Sequence, residues 1–210
     1  MAYDLEEQEQ LAALKGWWKD NGNLVLGTLA AVAIVLGGWQ GWRIWQGNQA
    51  AEASSQYEAL AKAIQVNDAK AARDAGGTLV ENYPRTLYAS MGALSLARYY
   101  FEQNDLKSAR TQLQWVLDRS PSEEMKDLAR LRLAAVLLDE KAHDQALALL
   151  AAKHAPALEP HYAALKGDIL VAQNKAAEAR EAYKLALEKA GERNGAFRAS
   201  VQLRLDALGG

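Results

Sequence analysis

Residues 68–84 read DAKAARDAGGTLVENYP and residues 105–121 read DLKSARTQLQWVLDRSP. Laid one over the other, they pair Ala72 with Ala109, Leu79 with Val116 and Pro84 with Pro121, an offset of 37 residues. The pattern returns in HDQALALLAAKHAP (143–156), where Ala146 takes the alanine position another 37 residues on. It returns again in NKAAEAREAYKLALEKA (174–190), where Ala179 takes it after 33. Self-similarity at such a period marks a stack of helical units, none of which can bury its apolar face without its neighbours. Each copy follows an apolar stretch and a short polar turn, placed at Asn67-Asp68, Asn104-Asp105, His143-Asp144 and Asn174-Lys175. Helix formers dominate, β-branched residues are sparse, and nothing alternates with period two for long enough to make a sheet. The fold class is all-α.

The spacing resembles tetratricopeptide repeats, in which a small residue near the start of the second helix lets it cross the first closely. Leu96, Ala97, Tyr100, Ala109, Leu113, Val116 and Pro121 carry the resemblance in one unit, and Gly167, Leu170, Ala179, Tyr183 and Ala186 in the last. The first unit departs from it, with Gly76 where an aromatic or leucine belongs, and the third lacks the glycine and tyrosine landmarks. An amphipathic stretch with Phe197, Val201, Leu205 and Leu208 is placed to cap the open end. The expectation is a helix-pair solenoid of about four repeats with a C-terminal capping helix, covering residues 46–210.

Ahead of the repeats lies NGNLVLGTLAAVAIVLGGWQGW (21–42), uncharged between Asp20 and Arg43. Roughly 20 apolar residues span a hydrocarbon core of about 30 Å. Trp17 and Trp18 stand before the run, and Trp39, Trp42 and Trp45 at its far end, where indoles favour the headgroup level. The Thr28 hydroxyl can return its hydrogen bond to the helix backbone. Residues 21–45 therefore read as a transmembrane signal anchor, behind a short leader at 1–20. A buried core helix would rarely stay uncharged for so long. A cleaved signal peptide would have a basic tip, whereas this leader carries Asp4, Glu6, Glu7 and Glu9, and Ala51-Glu52-Ala53 lies too far beyond the apolar run to be its cleavage site. Lys15 and Lys19 before the span, against Arg43 behind it, lean towards a cytoplasmic N-terminus. Ala33, Gly37 and Gly41 recur every four residues, a small-residue stripe of the kind that lets another membrane helix approach.

Across 210 residues there are 24 basic and 26 acidic side chains, for a formal charge of −2. That balance gives no basic surface for nucleic acid. Beyond residue 42 the charge is +1, from 22 basic and 21 acidic side chains. With no cysteine, disulfide scaffolds, thiolate metal sites and thiol nucleophiles are excluded. The three histidines, His143, His154 and His161, fall at turns and beside Pro156 and Pro160 rather than at metal-binding helical spacing. Gly76-Gly77 lacks the lysine–serine partner of a phosphate loop, and Ser54, Ser55 and Ser90 have no histidine in a relation that would activate them. No catalytic residue, metal or cofactor is expected; helix-pair solenoids bind.

One helix stands out. In LARLRLAAVLL (128–138), Leu133, Ala134 and Leu137 make one apolar face, and Leu128, Leu131, Ala135 and Leu138 make another. A helix apolar nearly all round is buried nearly all round. The neighbouring repeats contribute Met91, Leu94 and Phe101 at equivalent positions, with Arg98 and Asp168 as polar exceptions. Either a groove bearing Met91, Leu94, Arg98, Phe101, Leu128, Leu131 and Leu138 receives a partner, or the chain's own ends fill it.

Taken end to end, the chain resembles the YfgM family of ancillary subunits of the bacterial SecYEG translocon. The resemblance rests on an acidic leader with Tyr3, then LKGWWKDNG (14–22), a single span closing in GWQGWRIW (38–45), and the helix-pair repeats. It implies a single-pass protein of the bacterial inner membrane with its repeat domain in the periplasm. It also implies contact with the SecYEG translocon and with a membrane-anchored periplasmic chaperone related to prolyl isomerases, in handing over emerging, unfolded client polypeptides. The family supplies no catalytic residues. A scaffold of another envelope complex, or a regulator sequestering a signalling protein, are the alternatives that the residues leave open.

Overall fold

The computed structural model describes residues 2–191 and 194–209, the side chains of 2–6 and 8 excepted, so Tyr3, Asp4 and Glu6 of the leader lie outside the described side chains. Among the described residues there are nine α-helices, one 3-10 turn and no strand. The helices are α1 (Ala2–Gln65), α2 (Ala69–Asn82), α3 (Leu87–Glu102), α4 (Leu106–Arg119), α5 (Glu123–Asp139), α6 (His143–Leu150), α7 (Glu159–Ala172), α8 (Ala176–Lys189) and α9 (Gly195–Ala207). The chain divides into two units, residues 1–48 and 49–210.

The first unit is helical because nothing in it breaks a helix. No proline occurs before Pro84, and the polar side chains inside the run turn back on their own backbone. Thr28 Oγ1 donates to the Leu24 carbonyl at 2.8 Å, and Asn21 Nδ2 to the Trp17 carbonyl at 3.0 Å. The core-helix alternative fails on exposure, since Leu24 is 72 % and Ile34 74 % exposed. This is one helix long and apolar enough to cross a membrane, with its apolar side chains left outside any protein core.

The second unit is built from antiparallel pairs: the end of α1 with α2, α3 with α4, α5 with α6, and α7 with α8, closed by α9. The four turns within pairs are one device repeated. Asn67, Asn104, Lys141 and Asn174 adopt left-handed backbone, with φ of 54°, 60°, 61° and 59°. In each turn the next residue's N–H reaches back five positions to a helix carbonyl: Asp68 to Ala63, Asp105 to Tyr100, Ala142 to Leu137 and Lys175 to Leu170, at 2.8–2.9 Å. This satisfies carbonyls that a helix end leaves open. Asp68 and Asp105 then cap the following helix by accepting from the N–H groups of Ala71 and Ser108. The third turn departs from the expected His143-Asp144. It lies at Lys141-Ala142, and His143 is already the first residue of α6. The reason is register: in every copy the left-handed residue stands five before the crossing alanine, and 146 requires 141.

The crossing alanines behave as the repeat demands. Ala72, Ala109, Ala146 and Ala179 are all 0 % exposed, which lets paired helices approach without a side chain between them. Gly167 takes Tyr183 against its bare backbone in the same way. Leu60, Leu79 and Leu96 fill the first layer, Leu113, Val116, Leu133 and Ile169 the central one, and Leu170, Tyr183 and Val201 the last. Each such aliphatic chain removed from water stabilises the fold by roughly 1.5–3 kcal/mol. Two carboxylates knit the stack. Asp127 on α5, 7 % exposed, pairs with Arg130 and accepts from the Ala155 N–H at 2.8 Å, while its carbonyl accepts from the Tyr162 hydroxyl at 2.7 Å. Asp168 on α7 accepts from Tyr183 on α8 at 2.8 Å and from Arg204 on α9 at 2.8 and 3.0 Å. The capping helix is thereby held by an ion pair as well as by Val201 and Leu205.

Candidate partner-binding face

The first helices of successive pairs place α3 beside α5, and the residues there decide what the face offers. Arg98 and Phe101 line a cavity of about 330 Å3 together with Ala97, Leu113, Arg132, Ala135 and Val136. Phe101 is 39 % exposed, so its ring forms an open wall. A second hollow lies on the other side of Arg98, between Ala61 and Ile64 of α1 and Ser95, Tyr99 and Glu102 of α3.

The seven residues singled out in the sequence do not all meet here. Leu94 is 4 % exposed and belongs to the core. Leu128, Leu131 and Leu138 are half-buried against that core, and Met91 is half-buried on α3. The two faces expected of α5 are present: Leu133, Ala134 and Leu137 are buried, and Leu128, Leu131, Ala135 and Leu138 half-buried. Ala135 stands one 37-residue period after Arg98, and the small side chain at that position opens the cavity. Arg132, Ala135 and Val136 lie about one turn away from the leucines that hydrophobicity alone highlighted. The signal for Arg132 is a base that, with Arg130, interrupts the apolar stretch 128–138.

The electrostatics of the face are asymmetric. Arg98 Nε donates to Glu102 at 2.7 Å, an exposed pair one turn apart. Such a pair contributes no more than about 0.5 kcal/mol. Arg132 is half-buried and donates through Nη1 to the Leu94 carbonyl at 3.2 Å. Burial, and after it the charge of Arg98, draw its guanidinium below the ordinary arginine range. Asp168, the other polar exception, is occupied by Tyr183 and Arg204 and so belongs to the cap.

Two of the histidines pack within the scaffold. His154 stacks on Tyr162 with ring centres 3.8 Å apart and lies 2.9 Å from Glu159 Oε2, and His161 meets the edge of Phe197 at 4.6 Å. Among the described residues no three His, Asp or Glu side chains gather as a metal site would need. In the first unit, Ala33, Gly37 and Gly41 are exposed, and a Cβ added at either glycine would meet nothing within 4 Å.

A family model described as a tetratricopeptide repeat-like domain matches residues 15–210. The match takes in the uncharged apolar run at 21–42 as well as the repeats. A protein of Haemophilus influenzae named ancillary SecYEG translocon subunit is 32 % identical over 195 residues, covering 91 % of this chain and 94 % of its own. This chain belongs to the family of ancillary SecYEG translocon subunits. The Neisseria gonorrhoeae protein of that name is 31 % identical over 212 residues, covering 99 % of this chain and all of its own, and the Escherichia coli one is 29 % identical over 178 residues, covering 84 % and 85 %. The face between α3 and α5 lies within the residues that the family model matches.

Proposed function

We propose that this chain is a non-catalytic, membrane-anchored protein-binding module that serves the SecYEG translocon. The anchor sits in the bacterial inner membrane with the N-terminus in the cytoplasm, and the repeat domain stands in the periplasm. There it works beside a membrane-anchored chaperone of the prolyl-isomerase-related type and helps hand over translocated polypeptides. The observation that carries this reading is the end-to-end match to proteins named ancillary SecYEG translocon subunit, anchor included. The bare apolar run and the open face on α3 and α5 support it physically. The first gives the chain a place in the bilayer, and the second gives a helix-pair stack an apolar surface for a partner.

The stripe of Ala33, Gly37 and Gly41 is the side on which the anchor meets the channel. A photo-crosslinking residue placed at each of these positions in intact membranes captures translocon subunits, while one at Val35 on the opposite face does not. Protease added to spheroplasts then degrades the repeat domain and leaves the leader. Failure to capture any channel subunit, or protection of the repeats from external protease, would remove the proposal.

A further inference from the structure

The cavity between α3 and α5 holds two guanidinium groups and no carboxylate. Its walls are otherwise Ala97, Phe101, Leu113, Ala135 and Val136. Arg98 has Glu102 as partner outside the cavity. Arg132 has, among the described residues, one hydrogen bond, to a backbone carbonyl of α3 that belongs to a continuous helix, and no carboxylate within ion-pair distance. An arginine stays charged. Drawing it halfway out of water without a counter-ion costs free energy that a carboxylate placed against its remaining N–H donors would return, through two parallel charge-assisted bonds. A cavity of about 330 Å3 lies at the small end of the roughly 300–1,000 Å3 range of ligand sites. It has room for an apolar side chain next to a carboxylate. Past Arg98 and its partner Glu102 lies a second hollow, bounded also by Ala61, Ile64, Ser95 and Tyr99, so a chain leaving the cavity has a further surface to run on.

We infer that the cavity binds a through-running segment of a partner polypeptide by an Asp or Glu side chain set against Arg132 and Arg98, with a neighbouring apolar side chain packed on Phe101 and Ala135. The inference rests on the protein-binding reading above and adds the chemistry that selects the segment. Charge complementarity chooses the acid, and the apolar walls choose its neighbour. Arg132 is the selecting residue, because Arg98 is already paired and mostly in water.

The test uses the full-length chain in detergent and a set of end-capped peptides of about a dozen residues, each with one acidic residue beside a leucine or phenylalanine. Every peptide has a matched form with Glu→Gln or Asp→Asn, and a further set is apolar with a free C-terminal carboxylate as its only acid. Binding is expected for acidic, capped peptides and is expected to fall about tenfold on conversion of the acid to the amide. Arg132→Gln abolishes that difference, Arg132→Lys keeps part of it, and Phe101→Ala weakens acid and amide forms alike, all with unchanged helical content by circular dichroism. Equal binding of acid and amide forms would overturn the inference while leaving a protein-binding groove. Preference for the free C-terminus would overturn the through-running segment. No binding of any peptide would count against both this inference and the binding-module reading.

Discussion

Leu96 of α3 occupies the space that a side chain on Gly76 of α2 would need. The first repeat departs from the expected pattern at Gly76 because the first helix of the next pair already fills the space with a leucine that is 2 % exposed. Gly76→Ala is therefore expected to cost about 1–3 kcal/mol through overpacking. At the adjacent Gly77 an added Cβ meets nothing within 4 Å, so Gly77→Ala gains up to about 1 kcal/mol of helix propensity. Urea unfolding of the two variants side by side checks both signs, and equal stability of the pair would show that the crossing is not close.

The third turn is the weak copy of its device. Lys141 takes a left-handed backbone that costs a non-glycine residue about 1–2 kcal/mol, and Ala142 caps α6 without a side-chain hydrogen bond. Asp68 and Asp105 cap their helices at the equivalent positions. Replacing Ala142→Asp is expected to add about 1 kcal/mol, and Lys141→Gly a similar amount. For a domain of this size, each raises the melting temperature by about 2–4 °C, measured by thermal scans of the single and double variants.

The same turn shows how far sequence reading reached. The alanine period was visible because a small residue at a helix crossing has no substitute, and all four alanines are fully buried. The turn before Ala146 lies two residues ahead of the position that residue type suggests, because His143-Asp144 looks like Asn104-Asp105. The backbone obeys the spacing to the alanine and accepts a lysine where the other copies use asparagine. At the candidate face, leucines drew attention to Leu131 and Leu138, and these pack against the core. The opening lies about a turn away, where Ala135 is small and Arg132 is charged. Hydrophobicity locates a buried face, but an opening depends on the size of one side chain relative to those facing it from the next helix.

Tyr183 gives the fold a pH dependence in alkali. Burial first, then the hydrogen bond to Asp168, push its phenol well above the ordinary value of 10. A group whose folded-state value is raised contributes stability that is complete below its unfolded value and is lost as pH climbs above it. The repeat domain is thus expected to hold its stability up to about pH 10, the ordinary phenol range, and to weaken beyond. Tyr183→Phe removes that part of the decline. Absorbance titration of tyrosinate checks the assignment, since the last phenol to ionise in the folded protein should vanish from the variant.

Asp127 is a joint whose removal strands two donors. Asp127→Ala leaves Arg130 half-buried without its partner and the Ala155 N–H without its acceptor. Breaking a buried charge pair by deleting one side typically costs about 3–5 kcal/mol, so a loss near the lower end is expected here. Asp127→Asn keeps an oxygen for the Ala155 N–H and should lose less. Denaturant midpoints of the two variants order them, and a neutral Asp127→Ala would mean that the loop before α7 is held without the carboxylate, by His154 and by the Tyr162 hydroxyl on the backbone carbonyl of residue 127.

The last expectation concerns the apolar N-terminal helix. A Cβ at Gly37 or Gly41 meets nothing within 4 Å, so enlarging these residues costs the helix itself little, and isoleucine is at home in hydrocarbon. In a bilayer, helices associate through close packing rather than exclusion of water, which makes small residues on the touching face the sensitive ones. The double change Gly37→Ile and Gly41→Ile is therefore expected to leave membrane insertion and helical content intact while reducing recovery of translocon subunits with the detergent-extracted protein at least fivefold. The control is Val35→Ile with Trp39→Leu on the opposite face, which should leave recovery unchanged. If both pairs behave alike, the helix meets its partner through another face or not at all, and any association must run through the repeat domain.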